Sequence, residues 1–230
     1  SCDFGIVQYN LQTLEFGDTY FIGPNGKEVI VYQTTLFDGN IYAVTQNAGI
    51  RKALITNPNL IDYNQWQVFD AGFWNGIVTI ENQLIGMNLD NQLYLFNSFG
   101  GATPFGDLGN TGLDLRATEG YLIACTRNKV LIYNNSLNLI VQIQSSQVPN
   151  FQSDFTCATV INENIIIGTK EDGIVYSQIS NPLNFEFILP EGPHRNNIFS
   201  LNASTSNVWA VYGDYDLFYN PFPLDQYGIS

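Results

Sequence analysis

Short apolar runs broken by polar turns recur along this chain in one shape. An apolar strand is followed by a turn rich in Asn, Asp and Gly, and then by a second apolar or aromatic strand. The pairs are Ile41–Thr45 with Gly49–Ile50, Leu84–Met87 with Leu93–Phe96, and Leu122–Thr126 with Val130–Tyr133. Two more follow, Ile165–Thr169 with Gly173–Tyr176, and Val208–Tyr212 with Leu217–Tyr219. Strand starts at 41, 84, 122, 165 and 208 are separated by 43, 38, 43 and 43 residues. Apolar positions alternate in the manner of strands, and none of the runs has helical spacing. Stretches such as Val29–Thr35, Ile77–Ile80, Thr156–Ile161 and Ile198–Asn202 precede the hairpins, and Gln65–Phe69, Leu139–Ile143 and Phe185–Leu189 follow them. Four strands in a period of roughly 40–50 residues is the pattern of a propeller blade.

The predicted fold class is therefore all-β: a β-propeller of four-stranded blades, about five or six of them visible, with almost no helix. A single small sheet cannot bury both faces, whereas blades stacked around an axis bury them against one another. The period divides the chain into a partial blade at 1–28, repeats at 29–72, 73–110, 111–153 and 154–195, and a partial blade at 196–230. Ala43, Gly86, Ala124, Gly168 and Ala210 are expected at equivalent inner-strand positions, where the sheets converge. Phe4–Tyr9 matches the second strand of a core hairpin, and the chain stops short of a further fourth strand. That predicts an incomplete ring, which needs the rest of its chain or a second copy. Pairing of residues 1–23 with 196–219 would instead close a smaller ring.

Composition strengthens the strand reading. Hydrophobic residues make up 45% and charged ones only 13%, with 13 Tyr and 16 Phe; such side chains suit a pleated, half-buried surface. The net charge of −13, with eight Lys and Arg, argues against nucleic acid, whose binding depends on cationic side chains displacing counterions. It equally disfavours an anionic bilayer. No apolar run approaches the roughly 18 residues of a membrane span. Cys2, Cys125 and Cys157 have no metal-ligand spacing; the latter two lie in apolar strand text and read as buried free thiols rather than a disulfide. Ser1 and no apolar leader precede Cys2, so it reads as a strand residue.

Two stretches go beyond a generic propeller. Ser1–Asn10 with Phe16–Gly26 resembles the N-terminal propeller of the PorZ-like proteins of the type IX secretion system of Bacteroidetes. Val208–Asp216, Tyr219–Pro223 and Tyr227–Ser230 share that resemblance, and Gly168–Ile174 is similar to the looser repeat of two-component-regulator propellers. The resemblance runs along nearly the whole chain, with its specific matches at the two ends. It implies an exported protein of the bacterial outer membrane surface or periplasm, without a transmembrane segment in this chain. It also implies a non-enzymatic scaffold, accessory to secretion, gliding motility and the surface attachment of cargo. The implied partners are other protein subunits of a secretion complex. Surface polysaccharide would be bound by parts of the full-length protein absent here. The alternatives are an extracellular glycan-binding or glycan-active propeller and the sensor propeller of a membrane-bound regulator.

Candidate chemistry is sparse, so no catalytic, cofactor or metal residue is assigned and no cofactor is expected. His194, the single histidine, lies in a turn-like linker without the nucleophile and orienting carboxylate that a triad needs. Carboxylates at a propeller axis can hydrolyse glycosides, but Asp3, Asp114, Glu163 and Asp214 do not occupy equivalent strand positions. Asp90, Asp172, Asp214 and Asp216 lack the spacing of a calcium loop. Trp209 reads as packing in a blade core. Phe73 and Trp74, just before a strand, read either as contact aromatics or as a plug between blades. Arg51 and Lys52 open a long 51–65 connection that is a plausible contact loop. Asn57-Pro58, Asn181-Pro182 and Asn220-Pro221 read as structural turns.

Overall fold

The computed structural model describes residues 1–97, 100–189, 198–205, 207–212, 214–215 and 217–222. It falls into two compact units, Ser1–Ile188 and Leu189–Ser230. The first unit begins with a two-stranded sheet, β1 (Ile6–Asn10) and β2 (Glu15–Tyr20). Four four-stranded meanders follow. The first is β3 (Val31–Phe37), β4 (Asn40–Thr45), β5 (Ile50–Leu54) and β6 (Gln67–Asp70). The second is β7 (Trp74–Ile80), β8 (Gln83–Asn88), β9 (Gln92–Phe96) and β10 (Ala102–Asp107). The third is β11 (Gly112–Thr118), β12 (Tyr121–Thr126), β13 (Lys129–Tyr133) and β14 (Leu139–Gln144). The fourth is β15 (Phe155–Ile161), β16 (Asn164–Thr169), β17 (Ile174–Gln178) and β18 (Asn181–Ile188). The second unit holds the antiparallel pair β19 (Ile198–Ala203) and β20 (Val208–Tyr212), and the short pair β21 (Asp214–Tyr215) and β22 (Pro221–Phe222). Among the described residues, helix is confined to three single 3-10 turns.

The fold is thus all-β and built of antiparallel blades, with four complete four-stranded sheets among the described residues. In the first unit the opening strands β3, β7, β11 and β15 pack on one another in succession. The Gln33 side chain reaches from β3 to the Leu115 carbonyl of the third sheet, so the sheets converge on these strands. Between consecutive sheets lies a layer of interlocked apolar side chains. Ala43 and Ala53 of the first sheet, with Trp66 just before β6, pack with Ile6, Tyr20 and Ile22. Val44 and Ile50 pack with Trp74, Leu84 and Phe96 of the second sheet. Met87 and Leu93 meet Ala124 and Leu131 of the third, and Cys125 and Ile132 meet Ile167 and Val175 of the fourth. Side chains on a strand alternate between faces: Ala43, Gly86 and Ala124 face the preceding sheet, and Val44, Met87 and Cys125 the following one.

The small residues therefore lie in the second strand of each sheet, not in the innermost one. At Gly86 the missing side chain leaves room for aromatic rings rather than letting strands meet at an axis. A Cβ on Gly86 would stand 2.6 Å from Phe96 and 2.9 Å from Trp74. Gly168 is one residue out of step, because Ile167 pairs with Ala158 as Ala124 pairs with Leu115. One step reverses the facing, so Gly168 does not share the position of the others. Ala210, opposite Leu201 in β19, does hold it.

Each opening strand carries an irregularity at the same place. The register slips between Val31 and Gln33, Trp74 and Gly76, Gly112 and Asp114, Phe155 and Cys157, and Ile198 and Ser200. A bulge leaves one residue unpaired and re-aims the next. Gln33 Oε1 accepts from the Ile77 amide of the next sheet at 3.1 Å, and Asp114 Oδ2 accepts from the Ala158 amide at 3.3 Å. Both bonds span 44 residues, so the same tie is made twice. At the intervening position stands Gly76, and with no side chain in the way Gln33 Nε2 donates past it to the Leu115 carbonyl at 2.9 Å. Nearer the other end of these strands, Thr35 Oγ1 donates to Thr79 Oγ1 and Thr118 Oγ1 to the Val160 carbonyl, adding further ties.

Asn181-Pro182 is not a turn. It opens β18, an outermost strand where a missing N–H breaks no ladder. Pro221 likewise begins β22. Asn57 does hold a turn, accepting from the Asn59 amide while its own amide donates to the Leu54 carbonyl.

Candidate functional site

At the end of each second strand, one side-chain oxygen shapes the turn into the third strand. Thr45 Oγ1 donates to the Gly49 carbonyl and accepts from the Ala48 amide. Thr169 repeats this with Gly173 and Asp172, and Thr126 Oγ1 donates to the Lys129 carbonyl. In the second sheet the residue is Asn88, buried, whose Oδ1 accepts from the amides of Asp90 at 3.1 Å and Gln92 at 2.9 Å. The Leu89 amide then donates to the Phe73 carbonyl, bringing this turn against the segment that enters β7.

That segment has its own fixed geometry. Asp70 Oδ1 accepts from the Gly72 amide and from Trp74 Nε1, both at 2.7 Å. The hydrogen bond from Nε1 seats the indole in the layer between first and second sheets, where it meets Tyr94 edge-on at 5.3 Å and Phe96 at 4.9 Å. Phe73, one residue earlier, points the other way and is 68% exposed. Residues 72–74 and 88–90, with Tyr94, enclose an open pocket of about 510 Å³. A smaller one of about 320 Å³ lies between Asp3, residues 27–30 and residues 46–48.

The structure separates the two aromatics that the sequence presents together. Trp74 is 6% exposed and serves as the plug between sheets while also bordering the pocket, whereas Phe73 stands at the surface. Arg51 and Lys52 lie on strand β5 rather than in a loop, because they pair with Ala43 and Tyr42 of β4; the connection begins only after Leu54. Arg51 Nη1 donates to the Trp66 carbonyl at 3.4 Å, and burial pulls the guanidinium below its ordinary value. Lys52 Nζ sits 5.1 Å above the Phe69 ring. Trp209 holds the register position of Tyr42, Ile85 and Ile123, each buried against a following sheet, but is itself 55% exposed.

The carboxylates do not assemble. Asp114 lies near the start of β11 and accepts from Arg116 Nε at 2.8 Å. Glu163 lies in the turn at the opposite end of the fourth sheet and accepts from Tyr121 at 2.8 Å. Asp3 lines the smaller pocket, and Asp214 belongs to the second unit. Asp90 and Asp172 occupy separate turns, and no three His, Cys, Asp or Glu side chains cluster among the described residues. His194 and Asp216 lie outside the described residues. Cys2, Cys125 and Cys157 are free thiols. Burial, chiefly, and the Asp114 charge push Cys125 up to about 12. The interior ties of Gln33 and Asp114 were not legible beforehand, since nothing marks a bulge in the strand text.

Radially packed four-stranded meanders that converge on their first strands define a β-propeller. Residues 1–67 match the family model of the N-terminal β-propeller domain of PorZ, of the type IX secretion system. The chain thus carries a β-propeller whose first 67 residues are similar to that family. The solved structure of PorZ from Porphyromonas gingivalis, described as an essential bacterial surface component of that system, superposes with a TM-score of 0.70 at 16% identity. It covers 94% of this chain and 28% of that one, so the chain spans little more than a quarter of that protein. The extracellular domain of a putative hybrid two-component system from Bacteroides thetaiotaomicron gives 0.54 at 16% identity, covering 90% of this chain and 29% of the other. The computationally designed protein Ika8 gives 0.56 at 10% identity, covering 91% and 63%. At such identities the superpositions show the fold alone. No curated protein matches the chain. No helix among the described residues is long and apolar enough to cross a membrane.

Proposed function

We propose that this propeller is a non-enzymatic interaction module of an exported bacterial surface protein, accessory to type IX secretion and to the surface attachment of cargo. The observation that carries the proposal is the match of residues 1–67 to the PorZ propeller family. The side-chain chemistry agrees with it. Asp114 and Glu163 are held by partners at opposite ends of the sheets, so these two do not flank a common reacting atom. The repeated ties between sheets build a rigid body whose turns are fixed, as a docking surface requires.

The test is made in the bacterium that encodes the chain. The parent protein, tagged at its chromosomal locus, is isolated from detergent-solubilised envelopes and its co-purifying proteins are identified. Secreted cargo is compared in the wild type and in a deletion strain. The proposal expects secretion-system subunits in the isolate and loss of surface-attached cargo on deletion. Unchanged cargo export in the deletion strain refutes it.

A further inference from the structure

We infer that the pocket between Phe73 and Asp90 receives a basic side chain, an arginine above all, from an exposed segment of a partner protein. The inference names the chemistry of a partner for the interaction function proposed above and rests on that reading. Asp90 is the one charged residue among those lining the pocket. The other walls include the exposed Phe73, the half-buried Tyr94, the buried Trp74 and the half-exposed Leu89. Carboxylate plus aromatic faces is a combination that suits a cation: the ring quadrupole attracts it and the carboxylate pairs with it. A guanidinium can do both at once, stacking its plane on Phe73 while its fork addresses Asp90, which an ammonium cannot match.

Two of the other polar side-chain atoms are committed elsewhere. Trp74 Nε1 donates to Asp70, and Asn88 Oδ1 is taken by the Asp90 and Gln92 amides. The Asp90 carboxylate carries a charge that a cation can pair with and a neutral sugar ring cannot. The turn that bears Asp90 is already in place, held by Asn88 on one side and by the Leu108 amide bonded to the Asn91 carbonyl on the other. Little ordering then opposes binding. The whole chain carries 21 acidic and eight basic residues, so its field draws basic segments towards it before contact.

The probe is a capped Ala-Arg-Ala peptide, titrated into the 230-residue chain while the indole N–H resonance of Trp74 is followed by NMR. Capped Ala-Gln-Ala and a neutral glucose hexasaccharide serve as comparisons. The arginine peptide should shift that resonance saturably and more weakly as salt rises, and the other two should not. Asp90→Asn and Phe73→Ala alter exposed residues and leave the fold intact; each should weaken the arginine peptide at least about fivefold, a loss of about 1 kcal/mol. Equal binding of the glutamine peptide, binding of the hexasaccharide alone, or indifference to Asp90→Asn overturns the inference. If secretion subunits co-purify with the parent protein but the arginine peptide does not bind, the pocket inference alone fails. If the peptide binds and export is unchanged in the deletion strain, the secretion reading alone fails.

Discussion

Replacing Gln33 by Met tests whether the interior ties hold the sheets in place. Methionine keeps nearly the same length and volume but can neither accept from the Ile77 amide nor donate to the Leu115 carbonyl. Ile77 is fully buried, so its N–H has no water to turn to. An orphaned buried amide costs about 1–3 kcal/mol, and the carbonyl, with its second lone pair, adds less. The better transfer of a thioether than of an amide offsets part of this. The net expectation is a loss of about 2 kcal/mol. With an m-value of about 3 kcal/mol/M, the urea midpoint falls by ~0.7 M. Hydrogen exchange at the Ile77 amide gives the local readout, and a loss of that size accelerates it about 30-fold. If the Ile77 amide in Gln33→Met exchanges as slowly as in the parent chain, the tie does not hold the sheets and the reasoning is wrong.

Gly49 has φ +69°, and a Cβ there would lie 2.1 Å from the Asp70 carbonyl oxygen, so Gly49→Ala should cost upwards of about 2 kcal/mol in the same urea experiment. A change below about 0.5 kcal/mol, the level of an ordinary surface substitution, would show that β6 yields freely. Cys125, fully buried with its thiol pushed up to about 12, should resist iodoacetamide at pH 8 while the partly exposed Cys157 is alkylated, as mass spectrometry of the digested protein can check. Because its folded value is raised above the unfolded one, its contribution is complete below about pH 9 and declines towards pH 12. Alkaline unfolding should therefore be milder in Cys125→Ala than its neutral stability suggests, and an unchanged alkaline slope counts against this.

The chain by itself determined the repeat and its class. Alternation of apolar residues within strands, and recurrence every 43 or 38 residues, are properties of adjacent positions and need no tertiary knowledge. The resemblance of Ser1–Gly26 to PorZ was equally local, and it falls inside the matched residues 1–67. The β10 strand escaped notice because Pro104 and Gly106 disguise it; an outermost strand tolerates both. What only the tertiary structure decided is which strand is innermost and where each side chain points. Sequence placed Ala43 and Gly86 at an axis, but the packing of β3, β7 and β11 takes that place and turns the small residues towards the aromatic layers. Phe73 and Trp74 are alike in sequence, and one indole bond to Asp70 with one turn held by Asn88 makes the first a surface group and the second a plug. Gln33 acquires its role from residues 44 and 82 positions away. Bonds at that separation depend on how whole sheets stack, and no local pattern of residues encodes them.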